Sequence, residues 1–204
     1  MRIKSGIFIL VIMFSFVSCV SYFNLKKEIA DAEGSEIAVI SGINNEPNLS
    51  FAMMLTASLQ KHSKLKVMSQ KKIAESIEYY PFRIEGPWKF AYVDIEPDLE
   101  RVNLEKIKEI QKRLGVKYLY VIWTPVETSY TLQNTGNVYE LHTISQLYEF
   151  PDGEPIGGSK FVIAKHPGMF SSMGKSKRDV MMYYADNVAK EISEQMKVIK
   201  GGNL

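Results

Sequence analysis

One cysteine stands in this 204-residue chain, at position 19, and three histidines stand at 62, 142 and 166. A single cysteine cannot form a disulfide within the chain, so stability must come from packing. The histidines are scattered over a helix end, a strand and a loop without ligand spacing, which suits surface or capping roles and leaves no metal site to expect. An excess of either charge is also missing. Taking Arg2 and Lys4 away from the 25 basic residues leaves 23, against 23 acidic residues. A neutral body argues against nucleic acid as a partner, which would require a basic surplus to neutralise phosphate. It also argues against holding an acidic membrane surface by charge alone.

Catalytic signatures are equally scarce. No serine lies in a G-x-S-x-G elbow. Gly174-Lys175-Ser176 opens a helix as the end of a phosphate loop does, but Met169 occupies the position where that loop needs glycine. Glu149 and Asp152 sit near a hairpin tip, where carboxylates are solvated rather than paired for catalysis. Internal repeats and low-complexity tracts are absent. The expectation is a protein that is not an enzyme and carries no cofactor.

What is present begins at the N-terminus. Residues 1–20 read MRIKSGIFILVIMFSFVSCV. A basic start, a short apolar core and a small residue before the cut make the layout of an export signal. Phe16-Val17-Ser18-Cys19 resembles the bacterial lipobox, in which the cysteine is lipidated and becomes the mature N-terminus; Phe16 stands where leucine is usual. A membrane-crossing helix needs about 20 apolar residues, whereas the stretch 7–23 is shorter and holds Ser15, Ser18 and Ser21. An ordinary cleaved signal needs no cysteine at the cut. The expected organisation is a signal peptide over 1–18, a lipid-bearing (palmitate) Cys19 with a polar tether over 19–34, and one α/β domain over 35–200. Val20, rather than an acid, after Cys19 favours the outer membrane, with the domain facing the periplasm or the cell surface.

The domain itself reads as alternating elements. Residues 36–41 form an apolar strand buried on both faces. A turn-rich loop over 44–48 leads to a helix over 49–62, capped by Asn48 or Ser50. Residues 64–68 form a second strand, and Ser69 caps a helix over 70–80 that Pro81 ends. Residues 82–100 read as a long loop whose aromatics fold back on the core, the alternative being a partner-binding insertion through Trp88, Phe90 and Tyr92. The helix over 103–115 is the clearest, with Asn103 as cap, Leu104, Ile107, Ile110 and Leu114 as its stripe and Gly115 as its stop. Strands follow over 117–124, with a continuation to 131 past Pro125, then over 138–150 and 155–164. The strand over 138–150 alternates as a half-exposed strand should, and Asp152-Gly153 turns the next hairpin. Ser176 and Asp179 open a last helix running to about residue 199. The order β-α-β-α-loop-α-β-β-β-α demands an α/β (α+β) fold with a mixed sheet of about five strands and helices packed on it.

Four stretches carry a resemblance. Ile37-Ala38-Val39-Ile40, the passage from Lys66 to Ile73, the run from Leu114 to Val121 and the turn Asp152-Gly153-Glu154 match in order. They are similar to the periplasmic α/β domain shared by the TolB N-terminal domain, the CsgG curli-secretion lipoprotein and the LpoB lipoprotein. Trp123 and Thr124 depart from that pattern, which has glycine after the third strand. The resemblance implies the same fold and a cell-envelope compartment, and members of the group are mainly non-catalytic binding and assembly parts.

The expected function is therefore a membrane-anchored, non-catalytic module that binds other envelope proteins. The alternative is an oligomeric, CsgG-like secretion subunit that inserts hairpins, for which residues 138–150 are the candidate. Two surfaces offer themselves for a partner, the aromatic loop and a sheet edge. The aromatic set is Trp88, Phe90 and Tyr92, with Trp123 and Tyr130, although core packing is favoured for Trp123. Met53-Met54 and Met181-Met182 each put one residue on a core face and one near its edge. Core filler is the favoured reading of those four, the alternative being a methionine-rich groove.

Overall fold

The computed structural model describes residues 22–29, 32–91, 94–97, 101–132, 136–165 and 176–198. The signal, Cys19, Tyr92 and His166 lie outside them. Eight strands and four helices are described: β1 (Asn24–Leu25), β2 (Glu36–Ser41), α1 (Glu46–His62), β3 (Lys66–Val67), α2 (Gln70–Ser76), β4 (Trp88–Ala91), β5 (Asp94–Pro97), α3 (Leu104–Leu114), β6 (Tyr118–Leu132), β7 (Gly136–Glu149), β8 (Glu154–Lys165) and α4 (Lys177–Gln195). Six strands make one mixed sheet in the order β1-β8-β7-β6-β2-β3, and β4 pairs with β5 separately. Strand β2 is parallel to both β3 and β6, while β6, β7 and β8 form an antiparallel meander. The expected fold class holds, with a sixth strand at the edge.

Strand β2 shows why the sheet has helices on both sides. Its alternate residues go to opposite layers, Ile37 and Val39 to one core and Ala38 and Ile40 to the other, all at 0% exposure. The first core takes α1 and α4 through Phe51, Leu55, Leu59, Ala185, Val188 and Ile192. The second takes Ile73 and Ile77 from the α2 region and Ile107, Ile110 and Leu114 from α3. This is the three-layer solution for a sheet with two apolar faces.

Local chemistry sets the helix ends. Asn45, three residues earlier than expected, caps α1 by accepting from the Asn48 amide at 2.9 Å, so Pro47 sits inside the first turn rather than in a loop. Proline suits that turn because its missing N–H has no intrahelical partner there. The Asn103 cap and the left-handed Gly115 of α3 stand as expected, as does the Ser176–Asp179 capping box of α4. Helix α2 ends at Ser76, short of residue 80, and Tyr80 instead reaches back to the Ser41 amide and to Gln70.

Three segments differ from their sequence reading. The stretch 22–29, expected within a polar tether, is built into the domain: β1 pairs with β8, and Phe23 is fully buried. Glu191 of α4 accepts from the amides of Tyr22 (2.8 Å) and Phe23 (2.7 Å), and Gln195 bridges the Leu25 amide and the Phe23 carbonyl at 2.7 Å each. Within the loop over 82–100, β4 and β5 form a hairpin, and Ile84 and Trp88 close the second core. Finally, the lower half of β7 is buried on both faces, because Ile144 and Tyr148 pack into that second core. Around Glu140–His142 the alternation is kept, with Leu141 buried between two half-buried residues.

Candidate functional site

Helices α1 and α4 lie side by side on one face of the sheet, and an open groove runs between their outer surfaces. One lobe, about 690 Å³, is lined by Met53, Met54, Ala57, Met181 and Met182 with Ser176 and Arg178 at its rim. The adjoining lobe, about 630 Å³, shares Ala57 and Met182 and continues past Ser58, Tyr183 and Asp186. The four methionines that are adjacent in pairs in the sequence are thus brought together by the packing of two helices distant in the chain. Met181 is buried in the first core and Met54 packs against it, whereas Met53 is 59% exposed, Met182 38% and Tyr183 56%. An unbranched thioether side chain adapts to varied partners, and contiguous exposed apolar surface on a helix pair is where a partner docks.

Charged groups close the groove at one end. Asp186 of α4 binds His62 Nε2 at 2.6 Å and Lys190 at 2.9 Å, with Lys61 at 3.8 Å. Partial burial pushes the Asp186 carboxyl up, but the hydrogen bonds from Lys190 and His62 outweigh it and hold the group below the ordinary carboxylate range. The arrangement ties α1 to α4. Ser58, one turn before His62, makes no hydrogen bond to the pair, so the three residues do not form a nucleophile relay. Among the described residues no cluster of three or more His, Cys, Asp or Glu could hold a metal ion.

A second polar assembly is fully enclosed. Asn48, at 0% exposure, donates to Ser41 Oγ and to the Ile122 carbonyl (2.8 Å), and its Oδ1 accepts from Thr124 Oγ1 at 2.9 Å. It stitches the start of α1 to the end of β2 and to β6 where the two parallel strands part. Sequence reading saw Asn48 as a possible cap; its burial follows from the helix starting earlier. A third assembly is the hydroxyl chain Tyr120–Ser145–Ser159, at 2.6 and 3.0 Å, next to a cavity of about 170 Å³ between β1, β7 and β8. Burial pushes the Tyr120 hydroxyl up to about 12, against the pull of its serine partners.

The aromatic candidates fare differently from the methionines. Trp88 is 8% exposed and meets Trp123 edge to face at 6.0 Å, so little of it is left for a partner. Phe90 lies in β4, and Tyr92 lies outside the described residues. Trp123 is a core residue at 0% exposure whose indole donates to the Ile84 carbonyl at 3.0 Å. A Cβ at Gly42 would meet that indole at 2.2 Å, so the large residue on β6 is accommodated by a glycine after β2. His142 lies 3.8 Å from Glu140 on β7.

No family model matches the sequence, and no curated protein matches it either. Solved structures are similar to it. A PelC variant from Paraburkholderia phytofirmans, a dodecamer, superposes with a TM-score of 0.50 at 9% identity, over 84% of this chain and 97% of that one. The lipoprotein GNA1162 from Neisseria meningitidis gives 0.48 at 12% identity, over 78% and 99%. A minor lipoprotein from Acinetobacter baumannii gives 0.37 at 9%, over 80% and 92%. At 9% identity the likeness to PelC concerns the fold alone.

Proposed function

We propose that this protein is a lipid-anchored module of the bacterial cell envelope, attached through Cys19, that binds another envelope protein along the α1–α4 groove and does no chemistry of its own. The observation that carries this reading is the groove itself, with Met53, Met182 and Tyr183 exposed on adjoining helices above a packed core. Its methionine floor and charged rim fit an amphipathic helix whose apolar stripe lies along the groove. The lipobox at Phe16–Cys19 supports the anchor. A photo-crosslinking residue at position 182 should yield one adduct of defined mass, lost on Met53→Asp, and a crosslinker at the distant, 84% exposed Tyr79 should yield none. Equal adducts from both positions would refute the groove. Palmitate labelling that persists in Cys19→Ala would refute the anchor.

A second reading, an oligomeric CsgG-like secretion subunit, is favoured by the length of β6 and β7. Their pairing continues to Leu132 opposite Gly136, well past the Ser41–Ile122 rung where β2 leaves the sheet. The PelC chain with this fold is a dodecamer. A single monomeric mass for the detergent-solubilised and the membrane-bound protein would end this reading.

A further inference from the structure

We infer that the cavity between β1, β7 and β8 is a binding site for a small carboxylate carried on a short aliphatic body. The inference is independent of the anchor and of the α1–α4 groove. The cavity, about 170 Å³, draws its walls from three strands and one loop. Asn24, Gly158 and Gln146 stand opposite one another on adjacent strands, and Lys160 pairs with Ile144 two positions along. Residues two apart on a strand share a face, so Lys26 joins Asn24 on that side. It is the sheet face of the second core, to which Ile144 belongs. Pro87, next to the core residue Trp88, adds the last wall. No side chain can fill the floor from β8, because a Cβ at Gly158 would lie 2.3 Å from the Ser145 carbonyl oxygen.

The donors define the ligand. Gln146 is 7% exposed, and its Oε1 accepts a hydrogen bond from the Tyr148 hydroxyl. Burial pushes that hydroxyl well above its ordinary range, so it stays protonated and keeps the donating role. With Oε1 engaged, Nε2 is the free end of the amide. It has no hydrogen-bond partner among the described residues, and Gln146 lines the cavity. A buried donor left unmet is costly, which favours a ligand that brings an acceptor to it. Lys26 and Lys160, both exposed, stand at the rim, and none of the described lining residues is acidic. Lys26 makes no ion pair among the described residues.

Two cations and an unmet donor call for an anion, and the apolar wall of Ile144 and Pro87 calls for carbon attached to it. An aliphatic group alone would leave the Gln146 amide unmet, and phosphate alone would leave the apolar wall uncovered. A carboxylate accepts from Nε2 with one oxygen and faces the ammonium groups with the other. At about 30 Å³ per water, the space equals about six waters, roughly the size of isobutyrate. Such a carboxylate comes from a free acid or from the last residue of a peptide, and the test separates the two.

The full chain in detergent, labelled with nitrogen-15 at glutamine and glycine, is titrated with isobutyrate. The side-chain amide of Gln146 and the backbone amide of Gly158 should shift saturably with a millimolar Kd, as suits a ligand of this size. Isobutyramide, the neutral isostere, should bind at least about fivefold more weakly, and Lys26→Gln with Lys160→Gln should weaken isobutyrate by a similar factor. Gln146→Leu should abolish binding; should that variant fail to fold, isobutyramide and the lysine pair decide alone. Tighter binding of N-acetyl-Ala-Val than of isobutyrate assigns the site to peptide termini, and equal or weaker binding assigns it to free acids, each in keeping with the inference. Equal binding of isobutyrate and isobutyramide, phosphate binding as tightly as isobutyrate, or shifts that do not saturate overturn it.

Discussion

Phe23→Ala is the sharpest probe of whether residues 22–29 belong to the domain. If residues 22–29 were a flexible tether, the substitution would leave stability unchanged. In the structure, Phe23 is fully buried, its ring is 6.1 Å from that of Tyr120, and its Cζ would stand 2.8 Å from a Cβ at Gly157. Truncating a buried phenylalanine removes its transfer free energy and leaves a cavity, at a cost of about 3–5 kcal/mol. For a domain of this size each kcal/mol lowers Tm by about 2–4 °C, so a fall on the order of 10 °C is expected. Urea unfolding of the chain without residues 1–18, with Cys19→Ser, reads this directly. Hydrogen exchange at the Lys26 amide, which donates to the Ile156 carbonyl at 2.8 Å, gives a local readout and should lose protection first. A loss below about 1 kcal/mol with unchanged exchange would show that the segment is not docked.

Other expectations are equally checkable. Asn48→Leu should cost about 3 kcal/mol, because the Thr124 hydroxyl and the Ile122 carbonyl lose their buried partner. Thr124→Val should then cost less in the Asn48→Leu background than alone, and simple additivity would refute the hub. Tyr120 has a folded-state pKa of about 12 against 10 unfolded, so its contribution is complete below pH 10 and is lost as pH rises towards 12, about 3 kcal/mol in all. The stability of Tyr120→Phe should therefore fall less steeply between pH 10 and 11.5 than that of the parent; equal slopes would contradict the assignment. Gly158→Ala should disturb the β7–β8 register, since its Cβ would lie 2.3 Å from the Ser145 carbonyl oxygen, and unchanged unfolding would refute that contact.

How much of this could be read from the residues depends on the range of the interactions. The Asn103 cap, Gly115 and the Ser176–Asp179 box act within one helical turn, so they are visible in any four-residue window. Pro47 was misread because the window 44–48 looks like a turn until Asn45 is known to be the cap. The groove was half legible: two methionine pairs can be seen in the sequence, but nothing local says that α1 and α4 adjoin. Trp88 agrees with the favoured reading that the aromatics of the 82–100 loop fold back on the core, but the residue it meets there, Trp123, stands 35 positions on and is named by no local pattern.

Element order, the two-faced burial of β2, the balance of charges and the resemblance of Phe16–Cys19 to a lipobox follow from patterns in the chain, because periodicity, charge and short motifs are properties of neighbours. The pairing of β1 with β8 and the convergence of the methionines were settled by the tertiary structure. Each depends on contacts between segments more than a hundred residues apart, such as Tyr22 with Glu191, whose energies no local pattern encodes.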